Sequence, residues 1–156
     1  MEKYRFGVGI VLINKYKQIY LFERNDVLDG WQCPEGGINE GENPLLGALR
    51  EMEEEIGISK DNVKFLAETK DFIPYTIPEK FRKFDNVGQK KKFFLFEFLG
   101  KDEEIKFNKN EEVEFKNYKI VDVENLLSHI VDFKKDIYKK VLEEFKPFLE
   151  KKIIWI

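Results

Sequence analysis

Residues 36–58 read GGINEGENPLLGALREMEEEIGI, and four of the glutamates crowd into Glu51-Met52-Glu53-Glu54-Glu55. Like charges three or four apart on a helix repel, so the crowding needs either open solvent or a cation. The pattern predicts a helix over 44–56. Asn43 can cap its N-terminus, Pro44 suits its first position, and Gly57 can end it in a left-handed turn. At about 100° per residue, with Glu51 at zero, Glu54 falls near about −60° and Glu55 near about +40°. Leu45, Leu49, Met52 and Ile56 gather near about +130°, on a separate stripe that must face a core, while Glu53 lies away from both. The helix therefore presents a buried seam and, beside it, three carboxylates aimed at one place.

The chain around this helix has 156 residues, enough for one domain over 1–156. Fifteen Phe and six Tyr supply core material and argue against disorder. The net charge of −3 is a small surplus among many charges of both signs, so it neither selects nor excludes a polyanionic partner. With one cysteine, Cys33, no disulfide framework is expected. No segment approaches the roughly 20 apolar residues of a membrane span, and the N-terminal apolar run is too short for a signal peptide. A soluble cytoplasmic protein is the expectation.

Residues 4–13 and 19–24 predict two strands joined by a hairpin turn, with a loop at 25–31. Further strands are expected at 63–72, 93–99 and 115–121, a short helix at 123–130, and a longer amphipathic one from 133 to about 152. Residues 74–92 are expected to form a long basic and aromatic connection. The tail Ile153-Ile154-Trp155-Ile156 is expected to pack on the body or to make an oligomer contact. His129 is expected to be structural and Cys33 a small buried filler.

Three unpaired carboxylates at this separation would raise one another's pKa, and a divalent cation removes the conflict. Carboxylate oxygens suit Mg²⁺ or Mn²⁺, with water and substrate phosphate completing the shell. Taken alone, the acidic run reads first as an ordinary solvated helix face. Gly36, Glu42, Arg50, Glu51, Glu54, Glu55 and Gly57 together spell G-x5-E-x7-R-E-x2-E-E-x-G, with Met52 and Ile58 apolar at the remaining places. This run resembles the complete Nudix box.

The resemblance implies an α+β Nudix fold, an α/β/α sandwich with a mixed central sheet, and hydrolysis of a nucleoside diphosphate linked to a further group. Mg²⁺ is the implied cofactor, with Mn²⁺ as a substitute. Glu51, Glu54 and Glu55 are the implied metal ligands, with a backbone carbonyl at Glu35 or Gly36 beside them. Arg50 is expected to orient the carboxylates, with Glu42 as its partner.

The flanks Tyr4-Arg5, Gly30-Trp31-Gln32-x-Pro34-x-Gly36-Gly37, Tyr75-x-x-Pro78, Gly88-Gln89-Lys90 and Phe133-Lys134-x-Asp136-x-Tyr138 extend the likeness. They are similar to the bacterial RNA 5′-pyrophosphohydrolases and to the asymmetric dinucleoside tetraphosphate hydrolases. The implied substrate is the 5′-triphosphate end of RNA, as in RNA decapping and mRNA decay. A dinucleoside polyphosphate such as diadenosine tetraphosphate is the alternative, and a non-catalytic RNA- or nucleotide-binding module is a remoter one. A monomer or small homo-oligomer is expected.

Position by position, the resemblance assigns Arg5, Arg24, Gln32, Tyr75, Gln89, Lys90 and Lys134 to substrate binding. It assigns Glu114 to the metal site, as a further ligand or a base. Read from the residues alone, Lys134 is a solvated helix lysine, Arg24 pairs with a neighbour, and 89–92 form a basic turn. The chain also departs from the likeness. Glu35 stands where Gln is common, as an added acid that either joins the metal or repels a polyanion. Lys91-Lys92-Phe93 stands where Gln-Lys/Arg-Trp is more usual.

Overall fold

The structure, a computed structural model, describes residues 3–82, 86–108 and 112–151. The tail at 153–156 lies outside the described residues.

Two long strands run through the middle of the sheet. β1 (Lys3–Ile13) and β7 (Asn86–Phe98) pair in parallel from Lys3↔Asn86 to Ile13↔Glu97. Every other pairing is antiparallel, so the sheet is mixed. β2 (Ile19–Arg24) meets β1 only at Ile13↔Ile19. The strands then part, and β3 (Trp31–Gln32) and β4 (Glu35–Gly37) enter the opening. β3 pairs with β2, while β4 pairs with β1 through Gly7↔Gly37, Val8↔Gly36 and Gly9↔Glu35. β8 (Phe115–Val121) adds to β2.

The predicted helix is α1 (Pro44–Ile56), with the Asn43 side chain accepting from the Leu46 amide and Gly57 at φ 74°. A second helix, α2 (Lys135–Leu149), covers the other face. Side chains alternate across a strand, and that alternation sorts the cores. Phe94, Phe96 and Phe98 pack with Ala48, Met52 and Ile56 of α1. Phe93 and Leu95 pack with Tyr138, Val141 and Phe145 of α2. The result is the expected α/β/α sandwich.

Four expectations need correction. The strand expected over 63–72 ends early, as β5 (Val63–Glu68), and β6 (Ile73–Thr76) follows as a separate strand. The break lies at Thr69, whose hydroxyl accepts from the Phe93 amide at 3.0 Å and donates to the Asp71 carbonyl at 3.1 Å. Second, 74–92 is no long connection. β6 and the first half of β7 account for most of its described residues.

Lysines hid that strand, because their stems lie on apolar surface: Lys90 rests over the Tyr4 and Phe6 rings, and Lys91 is buried. Third, 123–130 winds as a 3₁₀ helix over Val123–His129. Fourth, a 3₁₀ turn at Asp132–Lys134 precedes the α-helix, which therefore begins two residues later than expected.

Gly9 is a tight point between the central strands on the α2 side. A Cβ there would lie 2.7 Å from the Phe93 ring, which is itself held edge-on by Tyr138. Gly9→Ala is therefore expected to cost about 1–3 kcal/mol by overpacking. For a domain of this size, each kcal/mol lowers Tm by about 2–4 °C. Gly37→Ala, whose Cβ meets nothing within 4 Å, is expected to melt like the parent. Equal melting curves for all three proteins would contradict the packing described.

Candidate active site

The site lies where the β3–β4 segment passes between β1 and α1. Pro34 O accepts from the Ile10 amide at 2.8 Å, locking this segment to the central strand. Gly36 then lies flat against α1: a Cβ at this position would fall inside the Glu51 carboxylate. Only glycine allows so close an approach of backbone to acid.

Arg50 ties the box together. Its Nε and Nη2 donate to the two Glu42 oxygens, each at 3.0 Å, as a bidentate fork. Nη1 donates to Glu51 Oε1 at 3.0 Å and to Glu54 Oε2 at 3.3 Å, and Nη2 reaches Gly37 O at 3.3 Å. The guanidinium is thus the counter-charge of Glu42, Glu51 and Glu54. Hydrogen bonds from Arg50 and from the Asn39 amide hold the Glu42 carboxyl down at about 2.

Glu55 is the exception. It is buried, and its Oε2 has no hydrogen-bond partner. Burial, then the neighbouring Glu51, then Glu114 and Glu35, push its carboxyl far above the usual range. A buried acid beside another acid, with one oxygen orphaned, fits a hard divalent cation by donor type and by its unmet charge. Among the described residues, no three His, Cys, Asp or Glu side chains stand ready-gathered around an ion position. The three-carboxylate face expected from helix geometry is partly occupied by Arg50, which draws Glu54 outward.

On the far side of Gly36 opens a cavity of about 860 Å³. Arg5, Arg24, Gln32, Tyr75, Gln89, Glu114 and Lys134 all line it, so seven assigned residues spread over 130 positions converge. Trp31 and Phe133 are among its walls. Arg24 is held at the rim by a bidentate pair with Asp26, at 2.9 and 2.8 Å. Glu114 is an exposed rim residue whose carbonyl accepts from the Asn25 amide.

Three assignments change. Lys90 does not line the cavity; strand alternation turns it to the other face, over Tyr4 and Phe6. Lys91, unassigned from sequence, lines the cavity instead and is 3% exposed. The Glu35 side chain is no unpaired acid beside the box: it bears on Glu55, but it pairs with Lys134 at 2.7 Å and Lys91 at 2.9 Å. Burial opposes ionisation of Glu35, but the two lysines prevail and bring its carboxyl down to about 2. Burial also lowers the Lys91 ammonium to about 8.

Lys134 is no solvated lysine: it is buried and bonds Gln32 and Glu35. A period-2 count through 88–93 in phase with buried Phe93 was the one signal that could have picked Lys91 over Lys90. His129 lies beside Lys119, with Nδ1 2.7 Å from its Nζ, and Cys33 is buried with its amide donating to the Tyr138 hydroxyl.

Residues 3–145 match the family described as NUDIX domain. The chain belongs to the Nudix family. Among Nudix relatives, it is 39% identical over 153 residues to a protein of Wolbachia pipientis subsp. Culex pipiens named RNA pyrophosphohydrolase, covering 96% of this chain and 93% of the relative.

A Zymomonas mobilis protein of the same name is 40% identical over 152 residues, covering 94% of this chain and 97% of its own length. A Coxiella burnetii protein, also so named, is 37% identical over 151 residues, covering 94% of this chain, which spans only 66% of that relative. In fold, this Nudix chain is similar to the E. coli dihydroneopterin triphosphate pyrophosphohydrolase, with TM-score 0.72 at 18% identity over 92% of this chain and 97% of that one. It is also similar to a C. elegans Ap4A hydrolase in a binary complex, with TM-score 0.70 at 20% identity over 93% and 97%.

Glu55 generates a pH dependence. In the metal-free protein the folded chain keeps a proton that the unfolded chain releases near the ordinary value of 4.5. With the folded pKa raised, this contribution to stability is complete below that value and is lost as pH rises above it. Denaturant midpoints at pH 5 and pH 8 in chelator are expected to fall more for the parent than for Glu55→Gln. Equal slopes would mean that Glu55 ionises freely in the fold.

Proposed function

We propose that this protein is an RNA 5′-pyrophosphohydrolase, converting 5′-triphosphate RNA ends to 5′-monophosphate. The observation that carries this is the adjacency at Gly36. One side of this glycine touches the acidic box, and the other opens on a cavity lined by Arg5, Arg24, Lys91 and Lys134. A polyanion drawn in by those cations would meet the carboxylates at that wall. Full-length relatives named RNA pyrophosphohydrolase support the choice of substrate.

Mg²⁺ is the proposed cofactor, with Mn²⁺ as a substitute, held by Glu51, Glu54 and Glu55 with a backbone carbonyl at Glu35 or Gly36. Bound there, it would supply charge neutralisation of the diphosphate and an activated water. The protein's own groups have separate tasks. Arg50 holds Glu42, Glu51 and Glu54 in orientation, its contact with Glu54 being the longest of the three at 3.3 Å.

Arg5, Arg24 and Lys134 receive phosphate oxygens, for which guanidinium forks and ammonium groups are suited. Tyr75, Trp31 and Phe81 offer aromatic surface along the cavity for a base. Glu114, at the rim, is the proposed proton acceptor or further ligand. No helix among the described residues is long and apolar enough to cross a membrane, and cytoplasmic RNA is the proposed setting.

Hydrolysis of triphosphorylated RNA is expected to exceed that of diadenosine tetraphosphate at equal enzyme and Mg²⁺. Faster turnover of the dinucleotide would replace RNA as the substrate. Metal-independent binding without cleavage of either would point to a non-catalytic module. Glu54→Gln is expected to lower kcat by at least about 10²-fold with a modest change in KM. Near-parental turnover would remove Glu54 from the ligand set.

A further inference from the structure

One oxygen in the cavity floor serves three donors. Glu35 Oε1 accepts from Lys134 Nζ at 2.7 Å and from Lys91 Nζ at 2.9 Å, with the Tyr75 hydroxyl 3.5 Å away. The side chains are 10% exposed at Glu35, 8% at Lys134 and 3% at Lys91. Both ammonium groups also face the Tyr75 ring, at 5.8 and 5.9 Å from its centroid. The three charges come from β4, β7 and the turn before α2, so only the fold brings them together.

Charge counting defines what each lysine does. Glu35 and Lys134 alone would form an exclusive pair with no net charge to offer an anion. Adding Lys91 to the same oxygen leaves the cluster at a net +1, and divides the attraction of Glu35 between two partners. Lys134 has the further acceptor Gln32 Oε1 at 3.3 Å. An ammonium carries three donors, so after Glu35 and Gln32 one N–H of Lys134 remains for a ligand in the cavity.

Glu35 and Lys91 are also two of the places where this chain departs from the motif it resembles, a Gln being usual at each. Those departures meet in space at 2.9 Å, and the charge brought by one is cancelled by the other.

We infer that Lys91 is a positioning residue for the polyphosphate: by sharing Glu35 Oε1, it leaves the Lys134 ammonium available to an anionic oxygen in the cavity. This rests on the reading that the cavity receives a polyphosphate, whichever group that polyphosphate carries. Lys91 acts through Glu35, and its effect is conditional on the Glu35 charge. With a neutral residue at 35, Lys134 needs no such release.

Methylenediphosphonate, a diphosphate analogue with no hydrolysable bridge and no base, separates this from the identity of the substrate. The parent, Lys91→Gln, Glu35→Gln and the double variant are titrated with it by calorimetry at fixed Mg²⁺, after melting curves establish folding. Lys91→Gln is expected to bind about tenfold more weakly, the size of one charge-assisted hydrogen bond. Glu35→Gln is expected to bind no more weakly than the parent, and the double variant to recover to within about threefold of it.

A lysine that merely neutralised a buried acid would change the melting temperature and leave affinity alone. Unchanged affinity in Lys91→Gln, a double variant as weak as that single one, or weaker binding by Glu35→Gln would each overturn the inference. Should Lys91→Gln not fold, Glu35→Gln and the double variant still decide it. Failure of triphosphorylated RNA as a substrate would leave these results standing. A parent that binds no diphosphonate would overturn the inference together with the polyphosphate reading.

Discussion

The site depends on how closely two pieces of backbone and one carboxylate approach at Gly36. A Cβ on Gly7 would lie 2.5 Å from the Gly36 carbonyl, and a Cβ on Gly36 would collide with Glu51. Central strand and inserted segment therefore lie edge to edge, and the acidic helix reaches Gly36 through the Glu51 carboxylate. That contact lets β4 occupy the gap left where β1 and β2 diverge, and it brings backbone within reach of the box carboxylates. Larger residues at either glycine would push α1 away from the sheet or turn Glu51 aside.

Around this point the protein sets two groups of charges side by side. On the α1 side, acid predominates and Arg50 is shared among Glu42, Glu51 and Glu54. In the cavity floor the balance is reversed, and Glu35 is shared between Lys91 and Lys134. Each group has one central residue of opposite sign that several others share. Sharing a counter-ion leaves residual charge: negative in the box, positive in the cavity floor. Glu55 Oε2, without a partner, marks the sharpest unmet need among the described side chains.

Local chemistry was legible wherever it sufficed. The bounds of α1 agree with expectation because Asn43, Pro44 and Gly57 act within one turn of where they stand. The Arg50–Glu42 contact follows from box spacing, which sets Glu42 just before the helix cap and Arg50 about two turns in. The first half of β7 was not legible, since Gln89, Lys90, Lys91 and Lys92 read as a basic turn. Lys90 and Lys91 lie over aromatic rings from other strands, so their polarity misreports their surroundings. The break at Thr69 was hidden for a related reason: its hydroxyl replaces strand hydrogen bonds with contacts to Phe93 and Asp71.

The amino-acid sequence by itself determined the family, the acidic helix and seven of the residues that line the cavity. These rest on spacings within a motif and on short-range capping. The tertiary structure alone decided the partner of each charge. Glu35 lies beside the box in the chain, yet its carboxylate belongs to the cavity floor, with lysines 56 and 99 positions away. Lys91 faces the cavity and Lys90 does not, because the pleat of a strand unrecognised in the sequence sends neighbours to opposite faces. Coulombic partnership depends on distance in space, and for these residues that distance exists only once β1, β7 and the turn before α2 are packed together.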